Sequence, residues 1–298
     1  MTNWWSDMGT VIDRVALARG GWRNRHSALQ LAVRTAKDCL HRAGRDPHDV
    51  DLLVNAGIYR DRNIAEPALA AMIQQDIGAN PEDPHADTHG TFSFDICNGT
   101  CGVLTALQIV DGFLRSHAID CALVVASDAD PGRGMSEHFP LSAAGAALLC
   151  DWTDDDCGVE RICWTNASDE GESFNATVGL VDGHNVLRFA MSDTIDERFA
   201  AAAIQAVDEC LRQSSLRLDE IDVIAAAPAR PRYRTELAAR LGVPEEQIIV
   251  AEDESAHTAS VAAAFDRAAS RIRPGGRVLL AAAGAGITAG AALYRLPH

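Results

Sequence analysis

The sequence predicts an α/β protein built from two similar halves, and three observations predict it. Two stretches repeat each other: AKDCLHRAGRDPHDVDLLVNAG (36–57) and VDECLRQSSLRLDEIDVIAAAP (207–228) set Cys39 against Cys210, Leu40 against Leu211 and Asp51 against Asp222 at one offset. The continuous apolar runs in DCALVVASD (120–128) and GRVLLAAAG (276–284) suit strands buried on both faces. With 47% hydrophobic residues in 298, the chain can bury a large core. Duplicated βαβαβ halves, with Gly and Ala where layers approach closely, imply a layered α-β-α-β-α sandwich. The halves divide at 1–155 and 156–298, and the polar stretch 151–175 is expected to bridge them.

Along the chain, MTNWWSDMGT has neither a basic n-region nor a long apolar stretch, so no secretory signal is expected. No apolar run approaches the roughly 20 residues of a membrane span, and the expected location is cytoplasmic. Arg14, Arg19, Arg23 and Arg25 gather positive charge near the start, against a net charge of -16. Such a patch suits either phosphate groups or a plain solvated face, while the overall charge argues against nucleic acid. Residues 36–57 read as an amphipathic helix, a turn and a short strand. The segment IYRDRNIAEPALAAMIQQDIG (58–78) contains Glu66-Pro67 ahead of a helix, where proline at the first helical position and a nearby acid are a good helix start.

HADTHG (85–90) holds two histidines and an acid but lacks a second ligand cluster, so a solvated loop is expected and no metal. FSFDICNGTCGVLTAL (92–107) reads as a strand running into a helix with Thr100 and Cys101 at the junction. The eight cysteines show no CxxC spacing and sit mostly in apolar runs, which suits reduced, buried side chains. GAGITAG (284–290) is glycine-rich but lacks the strand–GxGxxG–helix context of a dinucleotide site.

Three segments resemble the ketoacyl-ACP synthase III family of thiolase-fold enzymes. They are FDICNGTCGVLTALQIVDGFLRSHAIDCALVVASD (94–128), RGGWRNRH (19–26) and GGRVLLAAAGAGITAGAALYRL (275–296). The resemblance implies a thiolase fold and acyl transfer from coenzyme A thioesters or acyl carrier protein, with no permanently bound cofactor. It also implies a nucleophilic cysteine at the helix start, where dipole and free N–H groups favour a thiolate. Laid without gaps, that position falls on Thr100, and Cys101 is turned about 100° away; a one-residue gap puts Cys101 there instead. The family's histidine base falls on Ala227 and its asparagine on His257. Arg19 matches a coenzyme A contact and Arg23 lies in the same segment, but Val15 stands where an aromatic is expected. The stretch before Arg19 looks too short for the family's full first strand.

The 58–78 loop further resembles the RD…EP segment of the enzymes that join two long-chain acyl-CoAs head to head in olefin and β-lactone biosynthesis, with two extra residues between RD and EP. There a glutamate crosses the dimer interface as the Claisen base, and Glu66 is its counterpart. Arg60 and Asp61 are expected to fix this loop or the interface through a salt bridge. The resemblance therefore implies a subunit without its own nucleophile, paired with a homologous chain whose Cys-His-Asn set is intact, as in lipstatin-type pathways. A stand-alone acyltransferase using Thr100 or Cys101 with His257, and a non-catalytic scaffold or acyl-binding pseudo-enzyme, stay open beside it.

Overall fold

The computed structural model describes residues 9–21, 27–80, 90–168 and 173–298. The first half runs β1 (Gly9–Arg19), α1 (Ala28–Ala43), β2 (Leu52–Asn55), α2 (Leu69–Ile77), β3 (Phe92–Asp95), α3 (Gly102–Arg115), β4 (Cys121–Asp128) and β5 (Ala144–Thr153). The second runs β6 (Gly158–Asn166), a hairpin of β7 (Phe174–Val181) and β8 (His184–Met191), α4 (Ile195–Ser214), β9 (Val223–Ala227), α5 (Pro231–Leu241), β10 (Ile248–Ile249), α6 (Ser260–Ala269), β11 (Arg277–Gly284) and β12 (Thr288–Arg295).

The duplication is a duplication of topology. One sheet has the order β1-β5-β4-β2-β3 and the other, read from its opposite edge, β6-β12-β11-β9-β10. In each, two antiparallel strands extend a parallel trio whose crossovers are helices. The paired aspartates do the same work: Asp51 accepts from the backbone N–H of Asp120 and Cys121 at the start of β4, and Asp222 from that of Arg277 at the start of β11.

Five layers follow from where apolar side chains go. Helices α1 and α2 cover the outer face of the first sheet through Cys39, Leu40, Leu69 and Ile73. Helices α4 and α5 cover the second through Cys210, Leu211, Tyr233 and Leu237. Between the sheets lie α3 and α6, whose Leu104, Leu107, Val261 and Phe265 pack on Val54, Ala126, Ala225 and Ala282. A fully buried leucine contributes about 1.5–3 kcal/mol, so this middle layer anchors both halves and holds the start of α3 in place.

The polar 151–175 stretch joins the two sheets, running from the end of β5 in one through a turn to β6 in the other, and its polarity fits β6 as an edge strand with one wet face. Two expectations change. The chain before Arg19 supplies an eleven-residue β1. Pro67 is not the first helical residue: α2 begins at Leu69, and its free N–H groups at Leu69 and Ala70 are capped by Asp95 from β3. The hairpin was readable but not singled out, since Asp182-Gly183, both at positive φ, is a hairpin-turn pair between alternating strands. Among the described residues no helix is long and apolar enough to cross a membrane.

Candidate active site

The site forms where β3 ends. A short turn, Gly99–Cys101, precedes α3, and the free N–H groups of this helix end favour negative charge. Thr100 lines a cavity of about 410 Å³, and its hydroxyl donates to the Ala283 carbonyl near the end of β11. Cys101, the other candidate nucleophile, does not reach the cavity. One step further round the helix, its Sγ lies 3.5 Å from the Thr288 carbonyl, fully buried between layers. Burial pushes its thiol up to about 12, offset only in part by a hydrogen bond to the Gly290 backbone. Gly284 permits this arrangement, because a Cβ there would stand 3.1 Å from Thr100 Oγ1.

His257 lines the same cavity, in the turn before α6. Its Nδ1 lies 3.3 Å from Oδ2 of Asp128, the last residue of β4. Asp128 is fully buried and accepts from the N–H of Ile58, Tyr59 and Thr258 and from the Thr258 hydroxyl. Burial alone would raise its pKa, yet the neighbouring His257 and these hydrogen bonds hold it below the usual aspartate value. The imidazole faces the Tyr59 ring, with centroids 5.3 Å apart. Where a base would stand at the end of β9 there is Ala227, completely buried.

Apolar walls come from Leu141, Phe174, Phe189, Met191, Ile195 and Phe199, three of them on the β7–β8 hairpin and two on α4. At the mouth, Arg230 is paired with Asp196 through two hydrogen bonds of 2.6 and 3.0 Å. Asp128, Tyr59 and the hairpin phenylalanines were not singled out from the sequence. For Asp128 a signal existed: an acid closing a strand buried on both faces needs several partners.

Residues 211–296 match the family model described as the C-terminal part of 3-oxoacyl-[acyl-carrier-protein] synthase III. The β-ketoacyl-[acyl-carrier-protein] synthase III of Sphingopyxis alaskensis is 30% identical over 310 residues, spanning 95% of this chain and 90% of the relative. This chain belongs to the β-ketoacyl-ACP synthase III family. The synthase III of Novosphingobium aromaticivorans is 29% identical over 329 residues, spanning 98% and 94%. In fold, the 3-oxoacyl-(acyl carrier protein) synthase III of Pseudomonas aeruginosa superposes with a TM-score of 0.79 at 18% identity, covering 97% of this chain and 99% of the other. OleA of Xanthomonas campestris gives 0.78 at 14% identity, covering 97% and 98%.

Within this family framework the remaining candidates lie apart from the cavity. Glu66 is exposed on the loop between β2 and α2 and lines neither cavity described here. Its loop is anchored on both sides: Arg60 pairs with Asp95 at 3.2 Å, and Asn63 donates to the carbonyls of Met135 and Asn185. Asp61 accepts from the Leu29 N–H, so the expected salt bridge of the loop is made by Arg60 with Asp95. Arg19 lines a second cavity of about 340 Å³ and pairs with Glu252 at 2.8 Å, both side chains being well exposed. Arg267 lines that cavity too, but so do Asp253 and Asp266, so acids are set among the cations where a phosphate would need to bind. Arg23 and most of the HADTHG segment lie outside the described residues. Among the described residues no group of three or more His, Cys, Asp or Glu is placed to hold a metal ion.

Proposed function

We propose that this chain is the non-nucleophilic subunit of a two-chain acyltransferase that joins two fatty acyl thioesters head to head by Claisen condensation, as in β-lactone or olefin-type lipid biosynthesis, and that Glu66 is its contribution to the partner's site. The carrying observation is the helix start: Thr100, at the position the resemblance assigns to the nucleophile, lines the cavity, and the adjacent Cys101 thiol is buried and does not. Ala227 in the base position points the same way. A homologous chain with an intact Cys-His-Asn set would hold the first acyl group, and the second thioester, on coenzyme A or acyl carrier protein, would lose its α-proton to Glu66.

Two features support a role across an interface. Strand β3 is the edge of its sheet, with Phe92 58% exposed, and Ile64 on the Glu66 loop is 46% exposed. An edge strand with exposed apolar side chains is a surface for another chain. A carboxylate acts on a weak carbon acid when water is excluded around it, and docking would supply that enclosure. The Tyr59 ring lies against His257 while Glu66, seven residues on, stands at the surface, so the loop runs outward from one site towards whatever covers it.

The test uses this chain and a cysteine-bearing homologue. With long-chain acyl-CoA, the chain alone should gain no acyl mass, the homologue should acylate, and condensation should need both. Glu66→Gln and Glu66→Ala should abolish condensation with assembly intact. Unchanged condensation in both would leave a scaffold; an adduct on Thr100 would favour the stand-alone reading, for which the shared cavity of Thr100 and His257 speaks.

A further inference from the structure

The histidine missing from the end of β9 has a counterpart in another place. His257 rests on a carboxylate built to receive it: Asp128 Oδ1 takes the N–H groups of Ile58 and Tyr59, and Oδ2 takes the N–H and hydroxyl of Thr258 and the imidazole. A carboxylate that accepts from so many donors is an acceptor only, so the hydrogen of a neutral His257 sits on Nδ1 and Nε2 carries the lone pair. That nitrogen faces the turn before α3: a Cβ added to Gly99 would stand 3.5 Å from it. Gly99 has none, and its φ of +50° suits glycine. The Tyr59 ring holds the imidazole from the side.

We propose that Asp128 and His257 form a proton-accepting pair serving this chain's own cavity, where an acyl thioester passes its acyl group to a small hydroxyl compound, water in the simplest case, without a covalent protein intermediate. The attacking group comes from the ligand side, because the Thr100 hydroxyl is committed to the Ala283 carbonyl and the Cys101 thiol is shut between layers. As the oxygen attacks the thioester carbonyl, its proton moves to Nε2 and the C–O bond forms. The tetrahedral species then collapses, the C–S bond breaks, and the leaving sulfur takes the proton back from Nε2. His257 touches the reacting atoms; Asp128 is a positioning residue that fixes which nitrogen accepts. The acyl group is apolar, since Phe174, Phe189, Phe199, Ile195 and Met191 line the space. Arg230 at the mouth is already neutralised by Asp196, so a thioester without phosphates suffices.

This goes beyond the Glu66 reading, which concerns the partner's cavity, and either can fail while the other stands. The experiment incubates the chain alone with dodecanoyl-N-acetylcysteamine, measures released N-acetylcysteamine by chromatography and records intact protein mass in the same samples. Saturable release with no acyl adduct is expected. His257→Gln should lower release on the order of a hundredfold. Asp128→Asn should lower it about tenfold or more, and the double variant should be no slower than His257→Gln. No release above the protein-free rate, release untouched by His257→Gln, or an adduct on Thr100 overturns the proposal. Should Asp128→Asn fail to fold, nitrogen-15 spectra of the wild-type histidines decide the positioning role: the Nδ1-protonated form of His257 is expected, and the Nε2-protonated form overturns it.

Discussion

Cys101 Sγ lies 3.5 Å from the carbonyl of Thr288 and is fully buried, while Thr100, one residue earlier, lines the cavity. Two adjacent residues thus have opposite fates: one hydroxyl at the cavity, one thiol between layers. Burial pushes its thiol pKa up to about 12, so Cys101 stays a thiol at the pH of ordinary labelling. Iodoacetamide should therefore label the exposed Cys97 in the native protein and leave Cys101 untouched until unfolding. Thr100→Cys should add a fast-reacting thiol at the same pH, because the helix end stabilises its anion. Peptide mapping by mass spectrometry reads both; native-state labelling of Cys101 would contradict the packing.

Asp128 ties three segments together, and its stability contribution has a definite sign. Its folded-state pKa lies below the usual 3.8 of an aspartate. The stabilisation is therefore complete above 3.8 and is lost as pH falls through the folded value. Asp128→Asn keeps the shape but replaces an acceptor with an amide beside four donors of Ile58, Tyr59 and Thr258. A loss of about 3 kcal/mol is expected. Urea unfolding at neutral and acid pH checks it: the gap between wild type and variant should narrow below pH 3.8.

Asp95 links the Glu66 loop to the sheet. It caps Leu69 and Ala70, accepts from the Asn55 amide and pairs with Arg60. Asp95→Ala strips the α2 cap and leaves a largely buried guanidinium without its carboxylate, at a cost of about 2–4 kcal/mol. Hydrogen exchange should speed up over residues 58–70 before the rest of the first sheet responds. Any activity that depends on Glu66 should fall with it.

The fold was legible because its cause is repeated. Cys39 and Cys210, or Asp51 and Asp222, occupy equivalent places in two copies of one packing problem, and an offset in the sequence exposes that directly. At the helix start Thr100 lines the cavity and Cys101 does not, since successive helical residues are turned by about 100°. His257 could be named, but its partner could not. Asp128 and His257 are 129 positions apart and meet only because β4 and the turn before α6 end at the same rim. The phenylalanine walls were hidden likewise, since the β7–β8 hairpin reads as ordinary surface strands until its fold back over the site is known.

Asp196 sets what the cavity mouth can recognise. It is nearly fully buried in the first turn of α4 and holds Arg230 through both oxygens, so Arg230, the one arginine lining this cavity among the described residues, presents little net charge. Asp196→Ala frees that guanidinium at the mouth, where phosphate oxygens would bind it in the same forked geometry. Calorimetry should show dodecanoyl-CoA gaining about tenfold in affinity over wild type, equivalent to about 1.4 kcal/mol. Dodecanoyl-N-acetylcysteamine, without phosphates, should not gain. The added affinity should fade with salt, as an exposed charge contact is screened over about 10 Å at 0.1 M. Loss of the buried carboxylate should also lower thermal stability, so binding is compared below the variant's own unfolding range. Equal gains for both thioesters would mean that Arg230 acts through the shape of the mouth and not through its charge.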